Sequence, residues 1–104
     1  MGIALEESET GSTVRLDGGI DIGCAAELKT KLVQALAAAG AVAISVEAVT
    51  YLDVTAMQLL WAAERKAHQA GTGFGVAGEV PEALRAALAE AGLPPLPVLI
   101  PAGC

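Results

Sequence analysis

Few residues in this 104-residue chain have side chains suited to covalent or acid–base chemistry. His68 is the only histidine, so a Ser/His/Asp or Cys/His arrangement has one candidate base, and Cys24 and Cys104 stand far apart. His68 falls near the end of a predicted helix, where the helix dipole favours a surface histidine. Metal sites need several histidine, cysteine or clustered carboxylate ligands, and the sequence brings none together. We therefore predict a protein that is not an enzyme and holds no metal or cofactor.

The glycine-rich stretch 71–78 (GTGFGVAG) is the one feature that suggests a nucleotide-binding loop. The dinucleotide fingerprint requires its glycines between a strand and the start of a helix. Here the glycines lie before and within a predicted strand, which favours a helix stop followed by a tightly packed strand. A small enzyme or nucleotide-binding protein is an alternative that saturable nucleotide binding would support.

The segment 49–60 (VTYLDVTAMQLL) places a carboxylate and a hydroxyl at the start of a predicted helix. Asp53 is suited to cap this helix through its side chain, which puts Thr55 in the first turn. Free backbone N–H groups and the positive end of the helix dipole gather there. A phosphoryl group on Thr55 would find donors in this turn while being repelled by Asp53. The same position also suits a threonine with a purely structural role.

The chain is acidic, with a net charge of −6. An acidic surface repels nucleic-acid phosphates and anionic lipids, and three aromatic residues leave little for base stacking. No run of 18 apolar residues escapes interruption by charge, and no basic segment with a following apolar stretch begins the sequence. We expect a cytoplasmic protein that binds no nucleic acid and does not insert into membranes.

Hydrophobic periodicity predicts alternating strands and helices. Strands are expected at 3–7, 13–16, 41–46 and 72–77, and helices at 24–38, 54–70 and 81–92. Asp17-Gly18-Gly19 is expected to break the second strand, and Gly71 and Gly92 to end their helices. The order predicts an α/β fold in which three helices pack on a central mixed β-sheet of four to five strands with a parallel centre.

No linker, repeat or low-complexity run divides the chain, so we predict a single domain over residues 1–104. Its core is expected within 3–93. Residues 94–104 form a short C-terminal tail, in which 96–100, bracketed by prolines, suits an edge strand.

Two segments resemble the signatures of the STAS domain family, which is named from sulfate transporters and anti-sigma factor antagonists. The run 53–56 (DVTA) is similar to the family's D-[ST]-[ST]-[GA] motif. Upstream, 14–21 (VRLDGGID) resembles the family's strand and G-x-[LI]-D turn, which ends here at Asp21. The order of elements agrees, so the resemblance covers about residues 3–93 and implies a STAS-like fold.

The resemblance assigns roles to three residues. Thr55 matches the serine or threonine that partner kinases phosphorylate in anti-sigma factor antagonists. Asp53 matches the acidic residue of the motif, and Asp21 is similar in place to an acidic residue near the phosphorylation site. The resemblance thus implies phosphorylation of Thr55 beside a pocket formed by Asp21 and Asp53. Val54 and Ala56 depart from the motif, at its usual first hydroxyl and its commonest glycine.

The second predicted helix offers a candidate partner-binding face. Helical periodicity predicts that four residues face the core: Ala56, Leu59, Leu60 and Ala63. Met57, Trp61 and Glu64 fall on the opposite, exposed side, and we predict that they contact a partner. An exposed tryptophan flanked by methionine suits an interface anchor. The alternative is that Trp61 folds over the edge of the domain.

Two functions agree with these features. As a switch, the domain would bind an anti-sigma factor or serine/threonine kinase through the Asp21–Thr55 surface and release it on phosphorylation. As a constitutive subunit, it would belong to an ABC-type lipid transporter ATPase or a chemotaxis-associated complex, since 53–60 is similar to short stand-alone STAS proteins near such genes. Thr55→Glu would abolish binding only in a switch. The sequence leaves open whether the chain forms a homodimer.

Overall fold

The structure, a computed structural model, describes residues 2–38 and 40–93. One sheet contains four strands: β1 (Gly2–Glu7), β2 (Gly11–Ile20), β3 (Ala41–Leu52) and β4 (Phe74–Val76). They lie side by side in chain order, with β1 and β2 antiparallel and the two later pairs parallel. This confirms the predicted mixed sheet with a parallel centre. The strand predicted at 96–100 lies outside the described residues.

Three helices pack on this sheet: α1 (Ala25–Ala37), α2 (Val54–Gln69) and α3 (Glu82–Glu90). A short 3₁₀ turn, Ile22–Cys24, precedes α1. Because α1 and α2 each connect two parallel strands by a crossover of the same hand, they lie on one face of the sheet and run in the same direction. In this arrangement α1 packs on β1 and β2, α1 contacts α2, and α3 packs on β3. The predicted α/β class is confirmed.

The core lies between the sheet and the helices. Side chains of β2 alternate between the two faces, so that Val14, Leu16 and Ile20 are buried. They join Leu28 of α1 and Leu60 of α2 in one continuous apolar cluster. This cluster fixes the position of the first turns of both helices against the ends of the central strands.

Strand β2 continues through Asp17-Gly18-Gly19, so the prediction that these residues break it is wrong. Register shifts between Arg15 and Asp17 and between Gly18 and Gly19 give β3 one extra residue at each place. Such bulges absorb the irregularity without ending the pairing. Both strands are therefore longer than predicted, and they end together at Ile20 and Leu52.

The ends of α2 and α3 follow the prediction. Gly71, at a φ of +73°, donates its N–H to the carbonyl of His68 at 3.1 Å. Thr72 donates to the carbonyl of Ala67 at 2.9 Å, which completes a Schellman motif. Gly92, at a φ of +75°, ends α3 in the same way. Glycine suits both positions because a side chain would be strained at this φ.

The buried face of α2 differs from the predicted one, because it includes Met57 and not Leu59. It consists of five residues: Ala56, Met57, Leu60, Ala63 and Ala67. Met57 is 2 % exposed, so the prediction that it lies on the exposed partner-binding face is wrong. Helix α2 contacts the 3₁₀ turn and β4 as well as α1, which widens the stripe that must be apolar. Leu59, predicted in the core, is only half-buried.

Candidate functional site

The candidate site is built where β2 and β3 end beside each other. Ile20 pairs with Leu52 in the sheet register, and the N–H of Asp53 donates to the Ile20 carbonyl at 2.8 Å. The next residues along the two strands, Asp21 and Asp53, therefore leave the sheet at the same edge. In open α/β sheets, ligand sites typically lie at this carboxyl end of the strands.

Asp53 caps α2, as predicted. Its backbone is extended, with φ −68° and ψ 154°, and its Oδ2 accepts a hydrogen bond from the Thr55 N–H at 2.9 Å. This contact satisfies one of the amides that a helix start leaves without a partner. The Tyr51 hydroxyl lies 3.4 Å from Asp53 Oδ1, which is long for such a hydrogen bond. Thr55 thus lies in the first helical turn.

Asp21 makes a similar cap on the neighbouring strand end. Its Oδ1 accepts a hydrogen bond from the Gly23 N–H at 2.9 Å and so starts the 3₁₀ turn that leads into α1. Cys24, at the start of α1, makes no capping hydrogen bond with its side chain. The 3₁₀ turn contacts α2, so the structure places Asp21 on the same edge as Asp53 and Thr55. We call these three residues the Thr55 edge.

The Thr55 side chain is half-buried, and within residues 2–38 and 40–93 its hydroxyl makes no hydrogen bond. Its backbone amide is occupied by the Asp53 carboxylate. The backbone at Thr55 is therefore fixed by the Asp53 cap, while the hydroxyl is not engaged by any other described residue.

Three exposed apolar side chains that the sequence analysis missed surround the Thr55 edge. Ile22 is 70 % exposed, Tyr51 55 % and Val54 47 %, and each lies beside one of the two capping aspartates. Apolar groups gathered at one exposed place are typical of a binding surface. The available signal was that these residues stand within two positions of Asp21 or Asp53 and outside the apolar stripes of the predicted helices.

Trp61 and Glu64 lie further along α2 and are both half-buried. Trp61 packs against the core, and its indole N–H is enclosed with no acceptor among the described residues. This arrangement favours the alternative in which the ring folds over the edge of the domain. The partner-binding roles of both residues stay predictions.

Two further types of site were sought in the part of the chain that the structure describes. No group of three or more histidine, cysteine, aspartate or glutamate side chains is placed to hold a metal ion there. No helix in the same residues has the length and apolar character needed to cross a bilayer.

A family model described as "Mlab, STAS domain" matches residues 3–99. The chain belongs to the STAS domain family. The match spans both strand ends and the whole of α2, and so includes every residue of the Thr55 edge. No curated protein sequence matches this STAS domain significantly.

Solved structures show the same fold. The anti-sigma factor antagonist SpoIIAA in its unphosphorylated form superposes with a TM-score of 0.72 at 16 % identity, covering 97 % of this chain and 89 % of that one. The phosphorylated form of the Bacillus cell fate determinant SpoIIAA has a TM-score of 0.71 at 17 % identity, and the match covers 88 % of this chain and 85 % of that one. A sulfate transporter family protein from Wolinella succinogenes has a TM-score of 0.62 at 25 % identity, and the match covers 77 % of this chain and 65 % of that one. The STAS domain thus shares its architecture with a regulatory protein and a transporter-family protein.

Proposed function

We propose that this STAS domain is a protein-binding switch whose state is set by phosphorylation of Thr55. In the unmodified state it binds a cytoplasmic regulatory protein, an anti-sigma factor or serine/threonine kinase, through the Thr55 edge. Phosphorylation of Thr55 releases that partner. The domain itself catalyses no reaction.

The observation that carries the proposal is the exposed apolar border of the Thr55 edge. Ile22, Tyr51 and Val54 expose about half or more of their surface around a half-buried hydroxyl. Burying such side chains against a partner is favourable, at roughly 25 cal/mol for each Å² of apolar surface removed from water. A charge introduced at Thr55 would stand inside this contact and would lose its hydration when the partner binds.

The Asp53 cap explains how one phosphoryl group would alter the surface. The Thr55 amide already donates to the Asp53 carboxylate. A phosphate on Thr55 brings nearly two further negative charges into the same turn and competes for the same helix-start amides. Repulsion between phosphate and carboxylate then favours a changed position of the Asp53 side chain, while the core beneath stays packed.

The nature of the proposed partner rests on similarity. SpoIIAA, which has the same fold, is an anti-sigma factor antagonist solved in both unphosphorylated and phosphorylated forms. The resemblance of 53–56 to the family motif supports Thr55 as the corresponding acceptor. These two similarities support a partner of the same class for this domain.

A second function, a constitutive subunit of a transporter ATPase, is favoured by Val54. This residue stands where the motif usually has its first hydroxyl, and it is 47 % exposed directly before Thr55. An apolar side chain here suits a permanent contact that does not have to dissociate. In that function Thr55 serves as a contact residue and its phosphorylation has no role.

A pull-down with three baits separates the two functions: wild-type protein, Thr55→Ala and Thr55→Glu, incubated with lysate of the source organism. Retained proteins are identified by mass spectrometry, and the affinity of the purified partner is then measured by calorimetry. Thr30→Ala and Thr30→Glu are matched controls, because Thr30 is an exposed threonine in α1 away from the Thr55 edge.

The switch predicts that an anti-sigma factor or kinase binds wild type and Thr55→Ala, but not Thr55→Glu, while both Thr30 variants bind normally. Equal retention of a transporter ATPase by all three baits would establish the constitutive function instead. If Thr30→Glu weakens binding as much as Thr55→Glu, the effect is one of total charge and the switch is wrong.

A further inference from the structure

A second surface lies between the two crossover helices. A groove of about 200 Å³ runs between α1 and α2, and its apolar lining includes Leu32, Val33 and Leu36 from α1 and Leu59 and Ala62 from α2. Val33 is 56 % exposed, and it is the one strongly exposed large apolar residue of the described chain that does not border the Thr55 edge. We call this surface the α1–α2 groove.

A lysine stands at each end of the α1–α2 groove. On α1 the lining begins with Lys29 and continues to Leu36, and on α2 it runs from Leu59 to Lys66. Since the two helices run in the same direction, the first lysine lies at one end of the groove and the second at the other. Both lysines are exposed, and within residues 2–38 and 40–93 neither forms an ion pair.

The charge of the protein is divided unevenly around this groove. Helices α1 and α2 contain four of the six basic residues and two of the twelve acidic residues, a net charge of +2. The rest of the chain therefore carries a net charge of −8, which together with the +2 of the two helices gives the total of −6. An acidic partner would be attracted to these two helices and repelled by the remaining surface.

We propose that the α1–α2 groove binds an amphipathic helix of a partner protein that carries acidic residues at both ends of its apolar stripe. The stripe fills the groove between Val33 and Leu59, and the acidic ends pair with Lys29 and Lys66. The lining extends over a spacing of seven residues on each helix, from 29 to 36 and from 59 to 66, which corresponds to a length of about 10 Å. Two to three turns of a partner helix are therefore sufficient to span the groove. The site is separate from the Thr55 edge and does not rest on the function proposed above.

Charge also argues against two other occupants. A symmetric contact with a second copy would bring two helix pairs, each with a net charge of +2, against each other, which is electrostatically unfavourable. An anionic membrane presents a broad surface, whereas the lysines here border a narrow concave groove and the remainder of the protein is strongly acidic. A helix with two acidic ends fits the narrow shape of the groove and complements the positive charge of its two lysines.

The test uses a phage-displayed library of 14-residue helical peptides with apolar residues fixed at i, i+3, i+4 and i+7 and both flanks randomised. Peptides selected on the wild-type protein are then titrated by fluorescence anisotropy against Lys29→Glu, Lys66→Glu and Val33→Glu. Arg85→Glu is the matched control, since it makes the same change of charge on an exposed residue of α3. Circular dichroism checks that each variant is folded.

We expect aspartate and glutamate to be enriched at both flanks of the selected peptides. Each lysine variant should weaken binding roughly 3- to 10-fold, Val33→Glu more than either, and Arg85→Glu less than about twofold. No enriched peptide, no acidic preference, or an equal loss with Arg85→Glu would overturn the proposal. It would also be overturned if Val33→Glu dissolved a dimer seen by sedimentation, or abolished binding to phosphatidylglycerol vesicles.

Discussion

The carboxylate of Asp53 accepts a hydrogen bond from the amide of Thr55 at 2.9 Å, so the proposed phosphate acceptor is bonded to the cap of its own helix. The same aspartate donates its backbone N–H to Ile20 on the neighbouring strand. Asp53 therefore connects the sheet, the start of α2 and Thr55.

The cap contributes measurably to stability. Asp53→Ala removes the acceptor for the Thr55 amide and is expected to lower the free energy of unfolding by about 1 kcal/mol. Asp53→Asn keeps an oxygen acceptor and should lower it by less than about 0.5 kcal/mol. Urea denaturation followed by circular dichroism measures both values. Equal losses for the two variants would show that the charge, and not the hydrogen bond, is what stabilises the helix start.

Charge at Thr55 is coupled to charge at Asp53. Thr55→Glu places an anion at a helix start, which is favourable, but beside a carboxylate, which is unfavourable. We expect a net change in the free energy of unfolding within about 0.5 kcal/mol, and a clear stabilisation when the same substitution is made in Asp53→Asn. The difference is obtained from a double-mutant cycle in urea. Additive effects would mean that the two side chains do not interact.

The sequence predicted most helices and strands because their patterns are local. Gly71 and Gly92 end α2 and α3 as expected, since the left-handed backbone they adopt depends on the residue itself. The continuation of β2 through Gly18 and Gly19 was not predictable in this way. Those glycines look like a turn until the bulges of β3, which come from a distant part of the chain, are known.

Parts of the candidate site were predictable for the same reason. Asp53 as a cap and Thr55 in the first turn follow from their spacing, and the structure agrees. Met57 was misplaced because helical periodicity gives the direction of an apolar stripe but not its width. Its width is set by the neighbours that α2 contacts, and these enclose Met57 as well.

Met57 is expected to behave as a core residue. Met57→Ala should lower the free energy of unfolding by about 2–5 kcal/mol, because it leaves a cavity beneath the first turns of α2. Met57→Leu preserves most of the volume and should cost less than about 1.5 kcal/mol. Gln58→Ala, on the adjacent exposed residue, is the control and should change stability by less than about 0.5 kcal/mol. A loss for Met57→Ala no greater than for this control would contradict its buried position.

Ile22 is expected to matter for binding and not for folding. At 70 % exposure its replacement by serine should alter the free energy of unfolding by less than about 0.5 kcal/mol. If the Thr55 edge is the contact surface, the same variant should lower the affinity for the partner, measured by calorimetry, by about fivefold or more. Ala86→Ser, on the exposed side of α3, serves as the comparison. Unchanged affinity for Ile22→Ser would remove the 3₁₀ turn from the proposed surface.

The four strands occupy the sheet in the order in which they follow one another along the chain. During folding, each new strand therefore adds to the edge left by the preceding one, and none has to enter between two strands that are already paired. The β1–β2 hairpin closes over residues 8–10 alone, whereas the two parallel pairings close over the longer crossovers that contain α1 and α2. Asp21, Asp53 and Thr55 all precede β4. A ribosome-bound chain thus contains every component of the Thr55 edge before β4 and α3 have been synthesised.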